Sequence, residues 1–157
     1  MILTIIGTHH QPFTRLLDAV NELDTQSERI IQTGHTPFKS EKCTCIDFLP
    51  FEEIRQNMRD AEIVIAHAGT GTVMLALSEG KCPIVAPRYA RFNEHVDDHQ
   101  EDLVKVLADM GSIVPYFPDD NLEEAIEKAR NMTASRQKDP DASLVSLLRD
   151  YTGLSAV

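Results

Sequence analysis

The segment Glu62-Ile63-Val64-Ile65-Ala66-His67-Ala68-Gly69-Thr70-Gly71-Thr72 decides the fold. Four apolar residues in succession, Ile63 to Ala66, leave no polar face. A strand built from them must be covered on both sides, as in a parallel sheet layered between helices. The glycines that follow turn the chain, and Val73-Met74-Leu75-Ala76-Leu77 then reads as a helix. Working outward, the same unit repeats. Further strands are expected at Leu3–Gly7, Arg29–Thr33, Thr44–Leu49, Pro83–Pro87 and Ile113–Phe117, alternating with amphipathic stretches. Phe13, Leu16, Leu17, Val20 and Leu23 make one helical stripe, and Phe51, Ile54, Met58 and Ala61 make a second. Leu103, Val104, Leu107 and Met110 make another, closed by Gly111, and Leu122, Ala125, Ile126 and Ala129 complete the series. The reading is an α/β domain with a doubly wound parallel sheet.

The 157 residues suit one such domain. The composition shifts near residue 131: Asn131–Asp141 is polar, reads as a tether, and precedes the apolar stripe Leu144, Leu147, Leu148, Tyr151. The expected organisation is a domain over residues 1–132 and a linker with a C-terminal tail helix over 133–157. The tail stripe reads either as packing on its own domain or as docking a partner. No apolar run approaches bilayer-spanning length, and no secretion signal opens the chain. With an odd count of three cysteines, a reducing cytoplasmic setting is expected.

The 15 basic and 25 acidic residues give a formal charge of −10, which repels phosphate backbones and argues against general nucleic-acid binding. A nucleotide diphosphate remains possible, because a glycine loop and a helix start hold phosphate with backbone N–H groups. Cys43-Thr44-Cys45 is C-x-C rather than the C-x₂-C of zinc knuckles, and no second pair follows. It reads as strand packing, with the two thiols set apart across the strand, so no metal site is expected.

In an open parallel sheet, ligands bind beyond the carboxyl ends of the strands. The loops there are polar: Gly7-Thr8-His9-His10-Gln11-Pro12, Gly34-His35-Thr36-Pro37, His67 through Thr72, and Pro87 through Gln100. All six histidines fall at or just beyond this rim. Gly69 and Gly71 permit close approach of an anion to the backbone, and Thr70 and Thr72 add hydroxyls at a helix start. The same turn without any ligand is the plainer alternative. The long loop carries Arg88, Arg91, Glu94, His95, Asp97, Asp98, His99 and Gln100, too many polar side chains for a simple connection.

Asp60 to Thr72, then Glu79-Gly80-Lys81-Cys82-Pro83 and the His99-Gln100 pair, resembles the donor-binding half of family 28 glycosyltransferases. It looks most like the Alg13-type subunits and the PssE-like subunits of bacterial exopolysaccharide systems. Gly7-Thr8 with Gln11-Pro12-Phe13 and Leu16, and Arg88 followed by Glu94 through Gln100, are similar to the bacterial group. The resemblance covers the chain to about residue 130. It implies the Rossmann-like half of a GT-B enzyme, working without a metal or other cofactor on a UDP-sugar. It further implies a split enzyme whose acceptor half is an Alg14-like membrane-associated subunit holding a lipid-linked saccharide.

Carried across by position, Gly7 and Thr8 would line the phosphates and Leu49 would flank the uracil. Gly69, Thr70, Gly71 and Thr72 would hold the diphosphate, Arg88 and Glu94 would belong to the substrate site, and His99 and Gln100 would meet the donor sugar or its phosphates. The single-chain relatives carry a ribose-binding Glu three residues after the Thr72 position, where this chain has Leu75. His10 and His95 are the candidates to take the acceptor proton. The function implied is transfer of a hexose, galactose by resemblance, in exopolysaccharide or capsule synthesis. The alternative is a non-catalytic enhancer that steadies a membrane-associated catalytic partner.

Overall fold

The computed structural model describes residues 1–137. Six strands form one all-parallel sheet: β1 (Ile2–Ile5), β2 (Arg29–Gln32), β3 (Thr44–Ile46), β4 (Ile63–His67), β5 (Ile84–Ala86) and β6 (Val114–Pro115). Their spatial order is β3-β2-β1-β4-β5-β6, a doubly wound arrangement that reverses direction between β1 and β4. All six lie where the apolar runs place them, β1 beginning one residue earlier and ending two earlier than expected and the others shortened at one or both ends. β1 and β4 sit at the centre, Ile2 paired with Ile63 and Ile5 with Ala66, and every residue of β1 is buried. The consecutive apolar run of β4 thus meets its physical requirement, helices on both faces.

Five helices cover the sheet: α1 (Thr14–Glu22), α2 (Phe51–Asp60), α3 (Thr70–Ser78), α4 (His99–Asp109) and α5 (Leu122–Gln137). Leu16, Leu17 and Val20 of α1 and Leu122, Ala125, Ile126 and Ala129 of α5 share the largest apolar cluster with Ile2, Ile31, Ile63 and Ile84. Met58 of α2 and Ala76 of α3 pack with Leu3, Ile5 and Val64. Val104 and Leu107 of α4 join Val73, Leu77 and Val85 in a third cluster. Arg29 is buried and donates from Nη1 to the carbonyls of Val20, Asn21 and Leu23, closing the carboxyl end of α1 with a cation.

Two details differ from the sequence reading. Residues 131–137 continue α5 rather than forming a tether. Met132 packs on the main cluster, and the buried Thr133 hydroxyl accepts the Cys82 N–H at 3.1 Å, so the inward stripe of Ala129 runs on for another turn. The tail stripe Leu144–Tyr151 lies outside the described residues. Cys43 and Cys45 are not parted by the strand. Residues two apart share a face, and both pack against the main cluster, with Cys45 Sγ 3.7 Å from the Cys43 carbonyl.

Candidate functional site

Parallel strands deliver all their carboxyl ends to one rim, and at its centre the chain packs unusually closely. The His67 side chain, at the end of β4, lies between two glycines. A Cβ at Gly7 would stand 2.5 Å from its Cε1, and one at Gly69 would run into Nε2 of the same ring. Gly7 has φ +75°, a backbone that side chains disfavour. Gly34, after β2, packs on the Gly7 carbonyl in turn, because a Cβ there would strike that oxygen. Gly34, Gly7, His67 and Gly69 thus form one close-packed row. It locks the loops after β2, β1 and β4 together. His67 Nδ1 lies 3.4 Å from the Ile5 carbonyl. Burial, with the nearby Arg88 cation, pushes its pKa down to about 4, so the ring is neutral at pH 7.

Beyond this row α3 begins. Its N-terminal flank is Gly69, and no side chain caps the first turn. The N–H groups that open a helix have no intrahelical partners, and they carry the positive end of the helix dipole. Thr70 and Gly71 are exposed here and Thr72 is half-buried. A Cβ at Gly71 would meet nothing within 4 Å, so the space beside Gly71 in this first turn is open. Gly7 and exposed Thr8 flank it through the His67 wedge.

The loop from Pro87 to Asp98 folds over the start of α1. Arg88 is fully buried. Its Nη1 donates to the carbonyls of Gln11 (2.7 Å) and Glu94 (3.1 Å), its Nη2 to that of Ile6 (2.9 Å), and its guanidinium lies 4.6 Å from the Phe13 ring centre. Burial pushes its pKa down to about 10, which leaves the cation in place at neutral pH. Glu94 is buried too and accepts from Arg15 at 2.9 and 3.0 Å and from the Tyr89 N–H at 3.1 Å. Gln100 Oε1 accepts the Arg88 N–H at 3.0 Å. These three side chains lie beneath the rim and bind it together.

On top of them the histidines gather. The His9 ring is 4.7 Å from both His10 and His95, stacked on the latter. His99, at the start of α4, is 83% exposed and held by Asp97 at 3.2 Å. Leu49 is half-buried in the connection between β3 and α2, on the far side of β2 and β1 from α3. His35, in the loop after β2, meets Phe48 edge-on at 5.1 Å. Sequence reasoning did not single out His67, Arg15 or Asp97 as site residues. The His67 signal was legible as an imidazole two residues from a glycine, but the second glycine is 60 residues earlier and only the fold brings it near. Among the described residues, no group of three or more His, Cys, Asp or Glu side chains is arranged to hold a metal.

The family model of the glycosyltransferase family 28 C-terminal domain matches residues 1–151. The chain belongs to this family. By sequence it matches no curated protein. Among solved structures, it is similar to CalG4, the calicheamicin glycosyltransferase, at TM-score 0.62 and 14% identity over 97% of this chain and 42% of that one. It is also similar to the glycosyltransferase SnogD from Streptomyces nogalater, at TM-score 0.59 and 14% identity over 87% and 38% of the two chains. MurG from Acinetobacter baumannii aligns at TM-score 0.56 and 17% identity over 95% and 49%. At these identities the likeness is one of fold, the Rossmann-like half of GT-B glycosyltransferases. The family 28 domain described here spans less than half the length of each of those chains. No helix among its described residues is long and apolar enough to cross a membrane.

Proposed function

We propose that this family 28 domain is the donor-binding subunit of a split GT-B glycosyltransferase. It takes a hexose from a UDP-sugar and passes it to a lipid-linked saccharide held by a membrane-associated acceptor subunit of the Alg14-like kind, in exopolysaccharide or capsule synthesis at the cytoplasmic face of a membrane. The observation that carries the reading is the uncapped start of α3, open in front of Gly71 and coupled through His67 to the Gly7–Thr8 loop. In a chain of net charge −10, an anion needs a local source of positive potential, and this turn is one. The first-turn N–H groups and the Thr70 and Thr72 hydroxyls hold the diphosphate. As the bond to the sugar breaks, charge builds on the β-phosphate, and the same dipoles stabilise the leaving group without a bound metal.

Leu49 flanks the uracil, and His99 and Gln100 stand on the donor-sugar side. Arg88 and Glu94 serve by fixing the loop from Pro87 to Asp98, since both are buried and the Arg88 Nη1 and Nη2 and both Glu94 carboxylate oxygens bond protein groups. His10 and His95 are the candidate bases. The split reading rests on the likeness to Alg13-type and PssE-like subunits. Titrating UDP into the protein in a calorimeter, with and without EDTA, tests the donor site. Saturable binding that EDTA leaves unchanged supports it, and binding seen only with Mg²⁺ or Mn²⁺ overturns the metal-free reading.

A further inference from the structure

The loop between β5 and α4 brings an imidazole to the rim with its proton assigned by the backbone. His95 Nδ1 accepts the Asp97 N–H at 3.3 Å. An accepting ring nitrogen carries no proton, so the neutral ring holds its proton on Nε2. Protonating the ring would fill Nδ1, which lies 3.2 Å from Asp97 Oδ1, and would leave the Nε2 proton where it was. Nε2 is therefore a donor in both charge states. Among the described residues it has no hydrogen-bond partner, yet it is not a buried orphan, and the side chain is 20% exposed. A donor thus opens outward, unspent on the protein.

Its neighbours fix where that donor stands. The ring stacks on His9, 4.7 Å between centroids and 27° between planes. His9 is tied in turn, its Nε2 lying 2.8 Å from Gln11 Oε1, while the Gln11 amide donates to the Asn93 carbonyl at 3.3 Å. The stack joins the loop after β1 to the loop after β5, at the same rim as the start of α3. His9 and His95 both lie near enough to His67 for their charge to act on it, and His67 packs on Gly69, the N-terminal flank of α3. The charge around His95 suits an anion. Arg88 keeps its cation and donates to the Glu94 carbonyl at 3.1 Å. The nearby carboxylates are engaged, Glu94 by Arg15 at 2.9 and 3.0 Å, Asp97 by the His99 N–H at 3.1 Å and His99 Nδ1 at 3.2 Å.

We propose that His95 is a phosphate contact of the donor site, giving its Nε2–H to a diphosphate oxygen of the UDP-sugar. This role rests on the glycosyltransferase reading of the site, and it separates the two histidines offered there as bases. In the neutral ring neither nitrogen of His95 has a free lone pair, because Nδ1 is engaged and Nε2 is protonated. The acceptor proton has to go elsewhere, to His10 or to a group of the acceptor subunit. The diphosphate is then held by two elements, the first-turn N–H groups of α3 and an imidazole donor from the β5–α4 loop. A bond from that donor to an ionised oxygen is about twice as strong as one between neutral groups.

Side-chain ¹⁵N NMR of the free protein reads the tautomer before any ligand is added. A neutral His95 protonated on Nε2 is expected, and a proton on Nδ1 overturns the proposal. UDP should then shift the His95 Nε2 resonance and uridine should not, and an equal response to both removes the phosphate contact. Calorimetry with two variants separates a donor from a base, because a glutamine amide donates a hydrogen bond but takes no proton. His95→Ala should weaken UDP binding about ten- to a hundredfold, and His95→Gln should stay within about threefold of the wild type. Wild-type affinity in His95→Ala, or equal weakness in both variants, overturns the proposal. So does a His95→Gln protein that binds UDP normally but loses sugar transfer in the complex with the acceptor subunit, since His95 would then be the base. A wild type that binds no UDP removes the donor-site reading itself.

Discussion

A methyl group added at Gly71 would meet no atom within 4 Å, whereas one added at Gly69 would run into the His67 ring. The two glycines therefore serve different ends, and their variants should part. Gly71→Val should keep the melting temperature and lose the stabilisation UDP confers, about 2.7 kcal/mol at a hundredfold excess over Kd. Gly69→Ala should itself be destabilised, by about 1–3 kcal/mol, because the ring must move. Chemical denaturation with and without UDP checks both. His67 adds a pH signature. Its native pKa of about 4 lies below the unfolded value of 6.5, so between these values the unfolded chain binds more protons. The contribution is intact above pH 6.5 and falls away toward pH 4, by roughly 3 kcal/mol. His67→Gln should show a correspondingly smaller drop in unfolding free energy between pH 7 and pH 4.5.

The elements themselves were largely legible, since unbroken apolar runs such as Ile63–Ala66 admit little except a strand buried on both faces. Legibility failed where tertiary partners decide. Asn131–Gln137 looks polar, yet Met132 and Thr133 fall one turn beyond Ala129 on its inward face, and that is enough to carry α5 onward. Thr133→Val should cost about 1–2 kcal/mol by removing the hydroxyl that accepts the buried Cys82 N–H, measurable by thermal or urea unfolding. The site loops show the same division. Their polarity and their place after each strand were readable, whereas the bond between Arg15 and Glu94 joins positions 79 apart and has no local signature. Removing Arg15 leaves the Glu94 carboxylate buried with a single backbone donor. Arg15→Ala should therefore cost about 2–3 kcal/mol, less than a fully buried pair because Arg15 is 22% exposed. It should also loosen the Pro87–Asp98 loop, read as faster amide exchange at Tyr89 and Asn93.

At the scale of the whole molecule, a chain of net charge −10 brings the buried Arg88 and the uncapped start of α3 to one rim, where the carboxyl ends of six parallel strands meet. The topological reversal between β1 and β4 opens a crevice there, and the row of Gly34, Gly7, His67 and Gly69 holds its walls at fixed spacing. The proposed function requires that this crevice bind a nucleoside diphosphate through the start of α3. Calorimetric titration of UDP into wild type and Gly71→Val, in EDTA and with the acceptor subunit present, measures it directly. One saturable UDP site is expected in the wild type and none in a Gly71→Val protein that melts at the wild-type temperature. Absence of UDP binding to the wild type, or equal binding to both proteins, would contradict it.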